Sequence, residues 1–80
     1  MEVSIGEVWF DQQKIFVKFR SGSIINAPLS IFKRLKNATQ QQLSGYELWN
    51  DGQWIHWEEL DEDLSAEGFL KLQEEKNVSP

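Results

Sequence analysis

His56 is the single histidine of this eighty-residue chain and its one side chain that titrates near neutrality without perturbation. It lies in a strand-like stretch, Gln53 to Trp57, that follows Tyr46 to Asn50 across Asp51-Gly52. An Asp-Gly pair between alternating apolar segments is a strong hairpin signal, because both central residues of the turn need positive φ. A two-residue loop sets Leu48 opposite Ile55 and Tyr46 opposite Trp57 on one face, with Trp49 opposite Trp54 and Glu47 opposite His56 on the other. A carboxylate at Glu47 would raise the imidazole pKa and orient the ring, which is half of an acid-base apparatus. The chain has no cysteine, no Gly-rich phosphate loop and no serine in a nucleophile setting to supply the other half. We therefore read the pair as a cross-strand ion pair, assign no catalytic residue and expect no enzyme. His56 with Glu47 is the enzymatic alternative.

Directly behind this strand come five carboxylates, Glu58, Glu59, Asp61, Glu62 and Asp63. Such a run offers oxygen ligands to a cation, but an EF-hand loop needs acids at alternate positions, a central Gly and a closing Glu. The spacing here differs, so no metal and no cofactor is assigned. Ser65 has the form of an N-cap, with Leu64 and Phe69 placed as a hydrophobic staple and Ala66, Phe69 and Leu70 on the buried side of a short C-terminal helix. Asp61, Glu62 and Asp63 then read as the approach to a helix N-terminus, where negative charge is favourable. Asp61, Asp63 and Ser65 take turn and cap roles, Trp57, Leu60, Leu64 and Phe69 core roles.

Paired tryptophans at Trp49 and Trp54 have two readings, packed beneath a helix or exposed as interface anchors. In the second, the anchor face is Glu47, Trp49, Trp54 and His56, with Glu58, Glu59 and Glu62 as an acidic rim.

The elements that must position these groups follow from the periodicities. Val3 to Phe10 reads as a strand with a bulge at Gly6. Asp11-Gln12-Gln13 turns the chain into a second strand whose Ile15, Val17 and Phe19 alternate with Lys14, Phe16, Lys18 and Arg20. Ser21-Gly22 leads to a third strand, Ser23 to Ala27. Leu29, Phe32 and Leu35 behind Pro28 predict a helix on this sheet, with Lys33, Arg34 and Lys36 turned away. Thr39 and Gln42 have the form of a capping box for a short helical turn, Gln40 to Ser44, that stops at Gly45. The expected fold is α+β: a three-stranded antiparallel meander, a helix, a two-stranded β-hairpin and a short C-terminal helix. Residues 1–72 form one domain, and residues 73–80, without periodicity, are read as a disordered tail.

A chain this short buries only about 60% of its unfolded surface, and without cysteines its four Trp and five Phe must hold it by packing. Net charge is −5, unevenly spread. Residues 1–40 carry six basic side chains against three acids, and residues 41–80 carry two against ten. That asymmetry points the C-terminal half toward a basic protein partner and away from phosphate backbones. The alternative is a nucleic-acid patch on Lys33, Arg34 and Lys36. With no secretory signal and no apolar run near the ~20 residues of a membrane span, we expect a cytoplasmic protein. An open sheet edge could pair with a second copy.

Residues 57–70, Trp-Glu-Glu-Leu-Asp-Glu-Asp-Leu-Ser-Ala-Glu-Gly-Phe-Leu, resemble the closing motif of the small bacterial domain-of-unknown-function 2442 family. That motif is a Trp, two variable positions, an aliphatic, Asp-Glu-Asp, an aliphatic, Ser and a short helix ending in Gly-Leu-Leu. Phe69 stands here for the first of those leucines. Pro28-Leu29 after a Gly-containing turn, Arg34-Leu35 ahead of Asn37-Ala38-Thr39, and Gly52 before the last strand extend the resemblance over residues 1 to about 72. It implies an α+β domain with the same order of elements and no established biochemical role. Members of the family are often encoded beside another small protein in pairs that look like toxin-antitoxin modules. Some carry an added helix-turn-helix region, which is not expected in a chain ending at Pro80. The resemblance thus implies an antitoxin-like module.

Overall fold

The computed structural model describes residues 3–77. Its first three strands, β1 (Ile5–Asp11), β2 (Lys14–Phe19) and β3 (Ile24–Pro28), form an antiparallel meander, here sheet A. Register slips between Ile5 and Glu7, which places the bulge at Gly6 as its break in alternation predicts. Ile15, Val17 and Phe19 of β2 are buried with Ile25 and Ala27 of β3, so this half of the alternation faces the core. The turn between β1 and β2 holds Gln12 and Gln13 at positive φ. Twisted two-residue hairpins require that conformation even of residues that adopt it at a cost.

The expected helix after Pro28 does not form. One 3₁₀ turn, Leu29–Ile31, is followed by a chain of tight turns. The amides of Phe32, Leu35 and Ala38 donate in succession to the carbonyls of Leu29, Phe32 and Leu35. Each step is three residues, the period of a 3₁₀ turn rather than of an α-helix. Leu29, Phe32 and Leu35 have that spacing, and it turns all three toward the core while Lys33, Arg34 and Lys36 stay exposed. Helix α1 (Gln40–Ser44) then follows with the expected capping box.

The expected two-stranded hairpin is a three-stranded sheet. Strands β4 (Tyr46–Trp49), β5 (Trp54–Trp57) and β6 (Glu62–Ser65) form antiparallel sheet B in that order. Tyr46, Glu47, Leu48 and Trp49 pair with Trp57, His56, Ile55 and Trp54 in the register the Asp51-Gly52 turn dictates. The acid run supplies the third strand: Asp61 turns at positive φ, and Glu62 and Asp63 enter β6 instead of leading into a helix. An edge strand accommodates such charges because one side of it faces water. Helix α2 (Ala66–Asn77) begins on the expected cap, with Ser65 Oγ accepting from the Gly68 amide at 3.0 Å. It continues five residues past the boundary expected at 72, so residues 73–77 are helical; residues 78–80 of the expected tail lie outside the described residues.

The core lies between the sheets and α2. Phe69 on α2 is buried against Phe32, their ring centroids 5.9 Å apart, and burying a side chain of this kind contributes about 1.5 to 3 kcal/mol. Trp57 is buried as expected and donates from its indole to the Leu43 carbonyl at 2.9 Å, which ties α1 to sheet B. Leu60 and Leu64 are only half-buried at the core's margin. Sheet B meets sheet A where the Tyr46 hydroxyl donates to the Val8 carbonyl at 3.2 Å and where the Ile5 amide donates to the Gly52 carbonyl at 2.7 Å.

Gly52 is buried, at φ +86°, with a Cβ position 2.8 Å from the Ile5 nitrogen and closer still to its carbonyl oxygen. Gly22, at φ +103°, has open space around it. Gly22→Ala should lower stability by about 1 kcal/mol through its backbone conformation alone. Gly52→Ala should lower it by clearly more, since Ile5 backbone must also move. Urea unfolding midpoints check this, and equal losses for the two variants would show that the sheets do not meet at Gly52.

Candidate functional site

Strand alternation puts Glu47 and Trp49 of β4, Trp54 and His56 of β5, and Asp63 and Ser65 of β6 on the outer face of sheet B. Of the two readings of the tryptophan pair, the structure selects exposure: Trp49 is 47% and Trp54 41% solvent-exposed. Both indoles are large apolar surfaces left outside the core, and such surfaces in clusters mark contact sites.

His56 follows Trp54 by two residues on the same face of β5 and lies beneath Trp49 in space. Its ring stacks on the Trp49 indole with centroids 3.9 Å apart and planes 22° apart. Nδ1 is 2.5 Å from Asp63 Oδ1, and Nε2 is 2.7 Å from Glu58 Oε2. Two carboxylates can both accept only if both ring nitrogens donate, so the geometry suits the imidazolium. The hydrogen bonds to Glu58 and then Asp63 push the His56 pKa above its ordinary value, against the lowering effect of burial. A cation under an indole face also gains from the ring quadrupole.

Glu47 does not orient His56. It accepts from the Trp49 indole nitrogen at 3.0 Å, and so holds at its edge the ring that His56 stacks on. Asp63, read from sequence as a turn residue, is instead a partner of His56. The alternation of Asp63 with Leu64 and Ser65 held the signal, obscured by the charge of the segment. Glu58 joins the clamp and keeps an exposed side chain. Glu59 accepts from Gln42 on α1 at 2.8 Å, and Glu62 pairs opposite Trp57 and accepts the Asp63 amide at 3.1 Å. These two acids therefore belong to the structure around the site, and strand alternation sets Glu62 on the other face from the indoles.

Among the described residues, no three His, Asp or Glu side chains are arranged to hold a metal ion, and both His56 nitrogens are engaged. Beside Trp54 a groove of about 560 Å³ runs past Gln53, Ser65, Gly68 and Lys71. A groove of about 580 Å³ between the Gln12-Gln13 turn and Lys36 to Gln40 shares no lining residue with it. Lys33, Arg34 and Lys36 stand on the exposed turns after Ile31, not on the helix that would have aligned them. Among the described residues, no helix is long and apolar enough to cross a membrane.

The fold and site define a small α+β protein with two three-stranded sheets and an aromatic, acidic outer face. The family model described as a protein of unknown function, DUF2442, matches residues 5–75, and the chain belongs to that family. It is similar to a crystal structure of a protein of unknown function from Rhodospirillum rubrum ATCC 11170. The identity there is 27% and the TM-score 0.77, over 89% of this chain and 88% of that one. It also shares its fold with the solution structure of an uncharacterised Chromobacterium violaceum protein, at 20% identity and TM-score 0.73 over 95% and 79% of the respective chains. No curated protein matches the chain.

A His pKa that is higher in the folded than in the unfolded chain stabilises the fold fully below the unfolded value and loses that effect as pH rises through the folded one. Stability should therefore decline as pH climbs from about 6.5 through the raised His56 pKa. In His56→Phe, which keeps a ring against Trp49, this decline should vanish. Thermal unfolding across that pH range checks it, and an equal slope in both proteins would remove the clamp.

Proposed function

We propose that the protein is a non-enzymatic binding module whose outer face on sheet B holds a basic protein partner, and that it acts as the antitoxin-like member of a pair. The observation that carries this reading is the exposure of Trp49 and Trp54 beside the Glu47, Glu58 and Asp63 carboxylates. Exposed indoles are efficient anchors, since they cover much area with few rotatable bonds. The carboxylates select charge: Glu58 and Asp63 together outweigh the single positive charge of His56, so the face around the indoles stays acidic. A Lys- or Arg-rich surface would meet it favourably and be steered to it at low salt.

The same geometry supports a role without catalysis. A general base needs a free nitrogen within reach of a substrate proton, and both His56 nitrogens are committed to carboxylates. His56 serves as a positioning group that keeps the Trp49 ring in one orientation.

Capture of one small basic protein by the tagged chain, weakening as salt rises, is the expected result in extracts of the native cell. With that partner purified, Trp49→Ala/Trp54→Ala should weaken binding by about 2 kcal/mol or more, with the circular dichroism spectrum unchanged. Binding that survives the double variant would contradict the anchor assignment. Retention of nucleic acid alone would shift the reading to Lys33, Arg34 and Lys36.

A further inference from the structure

The outer face of sheet A has its own pattern. Three cross-strand rows traverse it: Glu7, Lys18 and Ile24; Trp9, Phe16 and Asn26; Asp11, Lys14 and Pro28. In the middle row the Trp9 and Phe16 rings are stacked, with centroids 5.4 Å apart and planes 5° apart. Both remain partly exposed, and neither is among the side chains packed on the core, whereas their neighbours Val8, Phe10, Ile15 and Val17 are. The pair is thus apolar area that the fold itself does not use. On either side of it an acid of β1 sits across from a lysine of β2, Glu7 with Lys18 and Asp11 with Lys14, all four exposed. Among the described residues, ion pairs join Arg20 to Asp51 and His56 to Glu58 and Asp63; these four charges take no part in them.

We infer that this face pairs with the same face of a second copy of the chain, about a two-fold axis that lies parallel to the strands and runs between β1 and β2. That rotation lays β1 over β2 of the other copy, row for row. Glu7 then faces the partner's Lys18, Trp9 faces the partner's Phe16, and Asp11 faces the partner's Lys14, with each contact repeated by symmetry. Stacked sheets keep their strand directions within about 30°, so the arrangement needs no unusual packing angle. A two-fold axis across the strands would set Glu7 on the partner's Asp11 and Lys18 on the partner's Lys14, and like-charge contact disfavours it. The two acids and two lysines around the aromatic pair sum to zero charge, so a phosphate backbone laid on it would meet Glu7 and Asp11 as well as Lys14 and Lys18 and gain no net attraction. The face therefore fits its own copy better than a nucleic acid, and it leaves Trp49 and Trp54 on sheet B free.

The test is sedimentation equilibrium of the full chain over a concentration series, with Glu7→Lys and Lys18→Glu prepared separately and each checked for fold by circular dichroism. The wild-type protein is expected to form a reversible dimer. Either single variant sets like charges across the axis twice and should weaken association by about tenfold or more. An equimolar mixture of the two variants restores opposite charges between copies while leaving like charges within each chain, so dimer should return only in the mixture. Trp49→Ala/Trp54→Ala should dimerise as the wild type does. A wild-type protein that stays monomeric to millimolar concentration, single variants that dimerise normally, or a mixture that does not recover would each overturn the inference.

Discussion

Everything in this fold depends on how closely one turn approaches one strand. The Ile5 amide reaches the Gly52 carbonyl at 2.7 Å, a separation that leaves no room for a side chain at position 52. Two small three-stranded sheets share one core, and their backbones meet there. The Arg20–Asp51 ion pair at 2.9 Å lies beside this junction, but both side chains are well exposed. Exposed pairs contribute about 0 to 1 kcal/mol, so backbone contact and burial carry the join.

The same turn builds the outer face of sheet B. Positive φ at Asn50, Asp51 and Gly52 reverses the chain and fixes the register that sets Trp49 across from Trp54. His56 comes to lie two pairs further along the ladder, on the same face, under the Trp49 indole. From there its two nitrogens reach Asp63 on β6 and Glu58 in the turn after β5, so one imidazole links a turn, a strand and an indole. A protein with little core thus keeps three of its four tryptophans outside it, two of them on this face, and holds one of those in place with a cation and two carboxylates.

Much of this was legible in the residues. The Asp51-Gly52 signal implied the full β4–β5 register, and that register forms although positive φ extends back to Asn50 and the loop runs over residues 50–53. The bulge at Gly6, the capping box at Thr39 and the cap at Ser65 are local patterns with local causes, and they appear as expected. Two elements misled. Leu29, Phe32 and Leu35 share a face in an α-helix only approximately, whereas their constant three-residue step belongs to successive tight turns. The segment from Glu62 to Ser65 carries too much charge to read as a strand, because edge position, which makes that charge tolerable, is a property of the tertiary fold. Asp63 was lost to the site with it. Whether Trp49 and Trp54 were buried or exposed also required the third dimension, as both outcomes satisfy the same alternation.

The outer face of sheet B is formed in advance, its Trp49 ring held on a His56 whose two nitrogens both meet carboxylates. The most direct measurement is an NMR spectrum of the free protein at neutral pH that resolves the imidazole and indole signals. The His56 ring protons should be shifted strongly upfield by the Trp49 ring current, with both ring nitrogens protonated, and the Trp49 and Trp54 indole protons should exchange with water far faster than that of Trp57. A neutral His56 with unshifted ring protons would mean that Trp49 is not held, and the preformed face would not exist.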